Sequence, residues 1–177
     1  MIDDVYVYCS DEKINEYLPA GVKFLMRPEI LDTPQANGTE IIKCFIEEVV
    51  ADVYVMSHAT SPFVSVASIE KGIEAVTSGQ YDSAFSVDKI QQHMWQDGKP
   101  VNFDPANIPR SQDLKAYYGE TSGFYIFPRD LVIKHARRVG FNPCLIEMSK
   151  IENIDIDYEE DFLIADAILN SIIRDNK

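Results

Sequence analysis

Residues 53–87 read VYVMSHATSPFVSVASIEKGIEAVTSGQYDSAFSV, and three apolar patterns follow one another within them. Residues 53–56 are β-branched and aromatic without interruption, which is typical of a strand that is covered on both faces. Apolar side chains then recur at a spacing of three to four over residues 69–76, which predicts an amphipathic helix. A short apolar run at 83–87 predicts a second strand. The succession of strand, helix and strand indicates an α/β fold, in which helices cross over between strands of a sheet.

The chain before this stretch carries the same alternation. On the same grounds we predict strands at 5–8 and 22–25, a short helix that ends at Tyr17, and a longer helix from Thr39 to Val49. Ser10 or Asp11 is expected to cap the first helix and Thr39 the second, because short polar side chains accept hydrogen bonds from the free amides of a first turn.

After residue 90 the pattern changes. Asp97-Gly98 lies between two short apolar runs and is a strong signal for a two-residue β-hairpin turn. Beyond the hairpin, the periodicity predicts strands at 123–127 and 144–148, a helix at 130–138 and a last helix from Glu159 to near Asp175. We therefore predict a single domain over residues 1–177, in which residues 89–113 form a hairpin and loop excursion.

The composition limits the function. The chain holds 16 Lys+Arg against 29 Asp+Glu, a net charge of −13, and its pI is about 4.5. This balance argues against a protein that holds a nucleic acid polymer through its phosphates, although a few local cations or a metal would suffice for one nucleotide. No apolar run is long enough for a membrane span, so no membrane partner is expected. Three widely spaced cysteines without a CxxC pair favour reduced thiols and a cytoplasmic protein.

Candidate site residues are expected in the loops at the carboxyl ends of the strands, where open α/β sheets bind their ligands. Asp155 and Asp157 are spaced by two, so on an extended segment both carboxylates project from the same face. A hard divalent cation relieves their mutual repulsion and leaves sites for phosphate oxygens, which makes the pair a candidate Mg²⁺ site. The alternative is that both are solvated residues ahead of a helix whose dipole stabilises them.

Other loops carry weaker signals. Thr60 and Ser61, ahead of a proline, offer hydroxyls and amides to an anion or nucleotide where a helix begins, but the same residues also form an ordinary helix cap. Arg27 could contact a phosphate or a base, or could simply end a strand, and Arg110 lies in what is by default a polar surface loop. His58 has no partner at nucleophile or metal spacing, which favours a positioning role over that of a base.

In order along the chain, these motifs resemble those of the acylneuraminate (sialic acid) cytidylyltransferase family, and the resemblance covers essentially the whole sequence. The segments that carry it are residues 4–11 (DVYVYCSD), 27–31 (RPEIL), 56–63 (MSHATSPF), 110–114 (RSQDL), 120–125 (ETSGFY) and 155–161 (DIDYEED). Each motif is short, but their order is specific.

This resemblance implies a three-layer, Rossmann-like mixed sheet of the nucleotide-diphospho-sugar transferase type, with a β-hairpin excursion that serves dimerisation. It implies an enzyme that joins CTP to a nonulosonic (sialic-type) acid, releases pyrophosphate, requires Mg²⁺ and forms a homodimer. Asp155 and Asp157 would be the catalytic metal ligands. The implied substrate-binding positions are Arg27, Asn37, Gly38 and Thr39 on the cytidine side, and His58, Thr60, Ser61, Arg110, Gln112 and Tyr125 on the sugar side.

Two departures from the family pattern leave alternatives open. His58-Ala59 stands where the family has Gln-Pro, so the sugar could be a sialic acid relative such as legionaminic or pseudaminic acid. By this resemblance, the sequence is expected to begin at the family's second strand, without a counterpart of the first strand and the triphosphate-binding loop. The alternatives are an inactive nucleotide- or sugar-binding remnant, and a cytidylyltransferase for 3-deoxy-manno-octulosonate.

Overall fold

The computed structural model describes residues 2–175 and divides the chain into two units. The first unit is formed by the residues up to Asp52 together with Arg129–Arg138. The second is formed by Val53–Pro128 together with the residues from Val139 onward. The sequence-based prediction of a single domain over 1–177 stays a prediction.

The secondary structure follows the predicted order, with ends shifted by a few residues. The strands are β1 (Val5–Cys9), β2 (Val22–Met26), β3 (Val53–Ser57), β4 (Ser83–Ile90), β5 (Trp95–Gln96), β6 (Lys99–Pro100), β7 (Tyr117–Pro128) and β8 (Pro143–Glu147). The helices are α1 (Gly38–Glu48), α2 (Val66–Thr77), α3 (Arg129–His135) and α4 (Glu159–Asp175), with 3₁₀ turns at Glu12–Tyr17, Glu29–Asp32 and Ser111–Asp113. No helix among residues 2–175 is long and apolar enough to cross a membrane.

In the first unit, α1 packs on a two-stranded parallel sheet of β1 and β2. Alternate residues of β1 point to the same face, so Tyr6 and Tyr8 both reach the Phe45 ring, with ring centroids 5.8 and 5.4 Å apart and edge-on geometry. The predicted cap at Thr39 is wrong. Asn37 caps α1, because its side-chain oxygen accepts from the amides of Thr39 and Glu40 while the Glu40 carboxylate accepts from the Asn37 amide.

In the second unit, a mixed four-stranded sheet runs in the order β3-β7-β4-β8. Strand β7 is antiparallel to both β3 and β4, whereas β8 is parallel to β4. Helix α2 packs on this sheet at Gly72, where an added Cβ would lie 2.6 Å from Ile126 Cδ1 and 3.2 Å from Phe124 Cε2. The core beneath it consists of Val76, Ala84, Phe124, Ile126, Ile146 and Met148. The α/β fold with a mixed sheet is confirmed.

The predicted hairpin forms at β5 and β6. Asp97 and Gly98 make its turn with φ of +50° and +73°, the left-handed values that a two-residue type I′ turn requires. Trp95, at the start of the hairpin, is 59% exposed and meets the Phe103 ring edge-on at 5.4 Å. The role of this excursion in dimerisation stays a prediction.

Candidate active site

The loop after β3 brings its polar residues together in a turn. The amide of Ser61 donates to the carbonyl oxygen of His58 at 3.1 Å, and Ser61 is buried. The expectation that a helix begins at Thr60 and Ser61 is wrong. Helix α2 begins at Val66 with Ser65 as its cap, because the Ser65 hydroxyl accepts from the Ser68 amide at 3.2 Å.

The segment after β8 returns to this loop and places Asp155 against it. The amide of Ile156 donates to the carbonyl oxygen of Thr60 at 2.9 Å, and the Ser61 hydroxyl lies 3.5 Å from Asp155 Oδ1. Burial by itself would raise the pKa of Asp155. Hydrogen bonds from the side chains of Thr60, Ser122 and Ser61, together with the charge of His58, outweigh burial and lower the pKa below its usual value. The carboxylate is therefore ionised at neutral pH.

The aromatic ring of Tyr125 lies beside the imidazole of His58. Their ring centroids are 6.4 Å apart, and Tyr125 also stacks on Phe85 at 6.1 Å. Its hydroxyl donates to Glu120 Oε2 at 3.0 Å. Because Tyr125 is buried in the central strand, its ring gives the His58 loop a rigid neighbour.

A cavity of about 360 Å³ opens beside Asp155. It is lined by Asn153, Ile154, Asp155, Asp157, Tyr158, Asp161 and Ile164. Asp157 is exposed there, and its amide donates to Asp161 Oδ2 at 3.2 Å at the start of α4. Both predicted metal ligands thus line one cavity.

The donor set at this cavity suits Mg²⁺. Among residues 2–175 no group of three or more His, Cys, Asp or Glu side chains is arranged to enclose a metal ion. An ion held by Asp155 and Asp157 would therefore complete its shell with water and phosphate oxygens, and such partial protein coordination by oxygen is the usual mode for Mg²⁺. The metal itself stays a prediction.

Arg110 and Gln112 do not join this group through hydrogen bonds or ion pairs in the described part of the chain. Arg110 is paired instead with Asp113, at 2.9 and 3.1 Å, and its side chain is 81% exposed. Gln112 is exposed, and its carbonyl oxygen accepts from Gln91 at 3.3 Å. Their predicted contact with the sugar stays a prediction.

The predicted cytidine-side residues lie in the first unit. Asn37, Gly38 and Thr39 line a second cavity of about 560 Å³, with Glu40, Lys43, Ala136 and Arg138. Arg27 follows β2 and donates from Nη2 to Asp32 Oδ1 at 2.5 Å, while its buried Nε has no hydrogen-bond partner.

Three residues near Asp155 were not predicted as site residues. Ser122 hydrogen-bonds the Asp155 carboxylate, Glu120 accepts from Tyr125, and Glu152 ties the Asp155 segment to α2. Glu120 and Ser122 lie in residues 120–125, one of the segments in which the sequence resembles the cytidylyltransferase family. That resemblance was the available signal for them. Nothing local in the sequence marks Glu152.

Solved structures share the fold of this chain. The chain superposes with a TM-score of 0.67 on 4-diphosphocytidyl-2C-methyl-D-erythritol synthase from Anaerococcus prevotii, at 13% identity and over 96% of this chain and 79% of that one. It superposes at 0.55 on CMP:2-keto-3-deoxy-manno-octonic acid synthetase complexed with CTP, at 16% identity and over 96% and 69% of the two chains. At these identities the likeness shows the fold alone, which is that of nucleotidyltransferases.

The family follows from the sequence. The family model described as Cytidylyltransferase matches residues 1–174, and the chain belongs to that family. It is similar to N-acylneuraminate cytidylyltransferase A of Danio rerio, with 26% identity over 176 residues that make up 94% of this chain and 41% of the relative. The chain thus spans about two fifths of the length of this curated relative.

Proposed function

We propose that the protein is a cytoplasmic, homodimeric cytidylyltransferase that forms a CMP-sugar and pyrophosphate from CTP and a nonulosonic, sialic-type acid in the presence of Mg²⁺. The observation that carries the proposal is the convergence of the His58–Ser61 loop on Asp155 in a chain of the cytidylyltransferase family. The similarity to an N-acylneuraminate cytidylyltransferase supports the sugar class.

In this reaction a sugar hydroxyl attacks the α-phosphorus of CTP and pyrophosphate leaves, so the protein has to align the reactants and offset negative charge. Mg²⁺, when bound, neutralises charge on the triphosphate. The ionised Asp155 and the exposed Asp157 would hold the ion. Hydrogen bonds from the side chains of Thr60, Ser61 and Ser122 stabilise the ionised form of the Asp155 carboxylate.

On the sugar side, His58 is the residue that we expect to recognise the sugar through hydrogen bonds. It is half-buried beside the rigid ring of Tyr125, and an imidazole can donate or accept a hydrogen bond or carry a charge. On the nucleotide side, the cavity at Asn37, Gly38 and Thr39 has Lys43 and Arg138 in its lining, which suits a ligand that carries phosphate.

The test is a turnover assay on the purified protein. CTP and Mg²⁺ are supplied with N-acetylneuraminic, legionaminic, pseudaminic or 3-deoxy-manno-octulosonic acid, and pyrophosphate and CMP-sugar are measured by coupled assay and mass spectrometry. We expect turnover with a nine-carbon acid and none in EDTA. Preference for 3-deoxy-manno-octulosonate would correct the sugar class. CTP binding by calorimetry without turnover on any acid would favour the remnant alternative.

A further inference from the structure

The carboxylate of Glu152 joins two segments that are distant in the sequence. Its Oε1 accepts from the Ser68 hydroxyl at 2.7 Å and from the Ser65 amide at 3.2 Å. Its Oε2 accepts from the Ser149 amide at 3.0 Å, within its own turn. Both carboxylate oxygens are therefore used, one on the first turn of α2 and one on the turn after β8.

These two segments are the ones that form the candidate active site. Ser65 closes the loop that carries Thr60 and Ser61, and Glu152 precedes Asp155 by three residues. The one backbone-to-backbone hydrogen bond described between the two segments, from Ile156 to Thr60, lies on the far side of Asp155. Asp155 is thus held between a side-chain tie before it and a backbone tie after it.

A second tie anchors the same turn elsewhere and provides a comparison. Asp88, near the end of β4, accepts from Asn153 Nδ2 at 2.9 Å and from Lys150 Nζ at 2.6 Å. This tie fixes the turn to the sheet and does not reach across to the loop that carries Thr60. Of these two carboxylates, Glu152 is the one with described hydrogen bonds to the residues that link that loop to α2.

We propose that Glu152 is a positioning residue, which holds Asp155 against the hydroxyls of the loop after β3. The inference rests on the proposed function only for the role of Asp155 toward a metal ion. The position of the Asp155 segment is a property of the chain without ligand. One experiment therefore measures that position, and a second measures the affinity for a metal ion.

The first experiment measures amide hydrogen exchange by NMR in the wild type, in Glu152→Gln and in the matched control Glu70→Gln, an exposed glutamate on α2. The amide that replaces the carboxylate keeps the size of the side chain but loses the charge and one acceptor oxygen. We expect the Ile156 amide to exchange about tenfold faster in E152Q, with Ile126 in the core unchanged and no effect of E70Q. Unchanged Ile156 exchange in a folded E152Q, or an equal acceleration at Ile126, would overturn the proposal.

The second experiment measures Mn²⁺ affinity by electron paramagnetic resonance, with Mn²⁺ as a probe for Mg²⁺. A group that positions a metal ligand typically changes affinity by about 10- to 100-fold. We expect E152Q to weaken Mn²⁺ binding at least tenfold, Ser68→Ala to weaken it less, and D88N and E70Q to leave it within about twofold. Equal weakening by D88N and E152Q would contradict a specific role for Glu152. If the wild type binds no Mn²⁺, the proposed metal role of Asp155 fails, and the exchange result alone decides the role of Glu152.

Discussion

The amide of Ile156 lies 2.9 Å from the carbonyl oxygen of Thr60 and donates a hydrogen bond to it. This bond connects the segment after β8 to the loop after β3. The proposed metal carboxylate and the hydroxyls around it are consequently brought together by the fold itself, before any ligand binds.

Asp155→Asn tests the proposed catalytic role. The substitution keeps the shape of the side chain but removes the charge that would hold a cation, so we expect the rate of CMP-sugar formation to fall by about 10²-fold or more. Asp157→Asn should have a smaller effect, since Asp157 is exposed, whereas Asp155 accepts side-chain hydrogen bonds from the hydroxyls around it. Asp166→Asn, on the exposed part of α4, is the matched control. Wild-type turnover in D155N would contradict the role.

Stability in acid should depend on Glu152. Burial opposes ionisation, but hydrogen bonds from Ser65, Ser68 and Ser149 prevail and lower the pKa of Glu152 from 4.5 to about 2. The stabilisation of the folded state by ionised Glu152 is therefore complete above pH 4.5 and is lost as the pH falls toward 2. We expect E152Q to cost about 1–3 kcal/mol of unfolding free energy at neutral pH and less in acid near the lowered pKa, by urea denaturation at each pH. A difference from wild type that does not shrink in acid would contradict this assignment.

Gly72→Ala should destabilise the second unit. Alanine is the better helix former by about 1 kcal/mol, but its Cβ would meet Ile126 and Phe124 in a packed core. We expect a net loss of about 1–3 kcal/mol by urea denaturation, since overpacking exceeds the gain in helix propensity. The difference in stability between Glu74→Gly and Glu74→Ala, on the exposed face of α2, measures the same change in propensity without the packing contact. A stabilised G72A would show that α2 does not pack this closely on β7.

The hairpin excursion is tested by oligomeric state. If the exposed Trp95 ring lies in a homodimer interface, Trp95→Ser should shift the protein from dimer to monomer in sedimentation velocity, because aromatic anchors carry much of an interface's energy. Tyr17→Ser, which alters a ring that is 77% exposed in the first unit, should leave the dimer intact. A monomeric wild type at assay concentration would refute the homodimer.

Local patterns were sufficient to predict most of the secondary structure. The strand predicted at residues 53–56 is found at Val53–Ser57, and the hairpin turn predicted at Asp97 and Gly98 is also found, because both are encoded within a few residues of sequence. The start of α2 was not predicted, because Thr60 and Ser65 have the same capping chemistry. The contact of the Ser65 amide with Glu152 comes from a distant segment and cannot be seen in the local pattern.

The candidate site was predicted only in part, because some of its contacts also come from distant segments. Asp155 and His58 were singled out from their motifs, and the structure places them within electrostatic reach of each other. Ser122 and Glu152 act through hydrogen bonds to residues far away in the sequence, and such bonds are set by the register of β7 and the path after β8. The local pattern of a single sequence contains no signal for that register.

The position of β7 between β3 and β4 has a consequence for how the protein is made. Strand β3 forms its described backbone hydrogen bonds with β7. Strand β4 pairs with β7 on one side and with β8 on the other. During synthesis β3 and β4 are translated before Tyr117–Pro128, so both strands are made before the strand that pairs with each of them. Because β3 and β7 are about 60 residues apart in the sequence, their pairing is non-local, and we expect it to form late and to slow folding of the second unit.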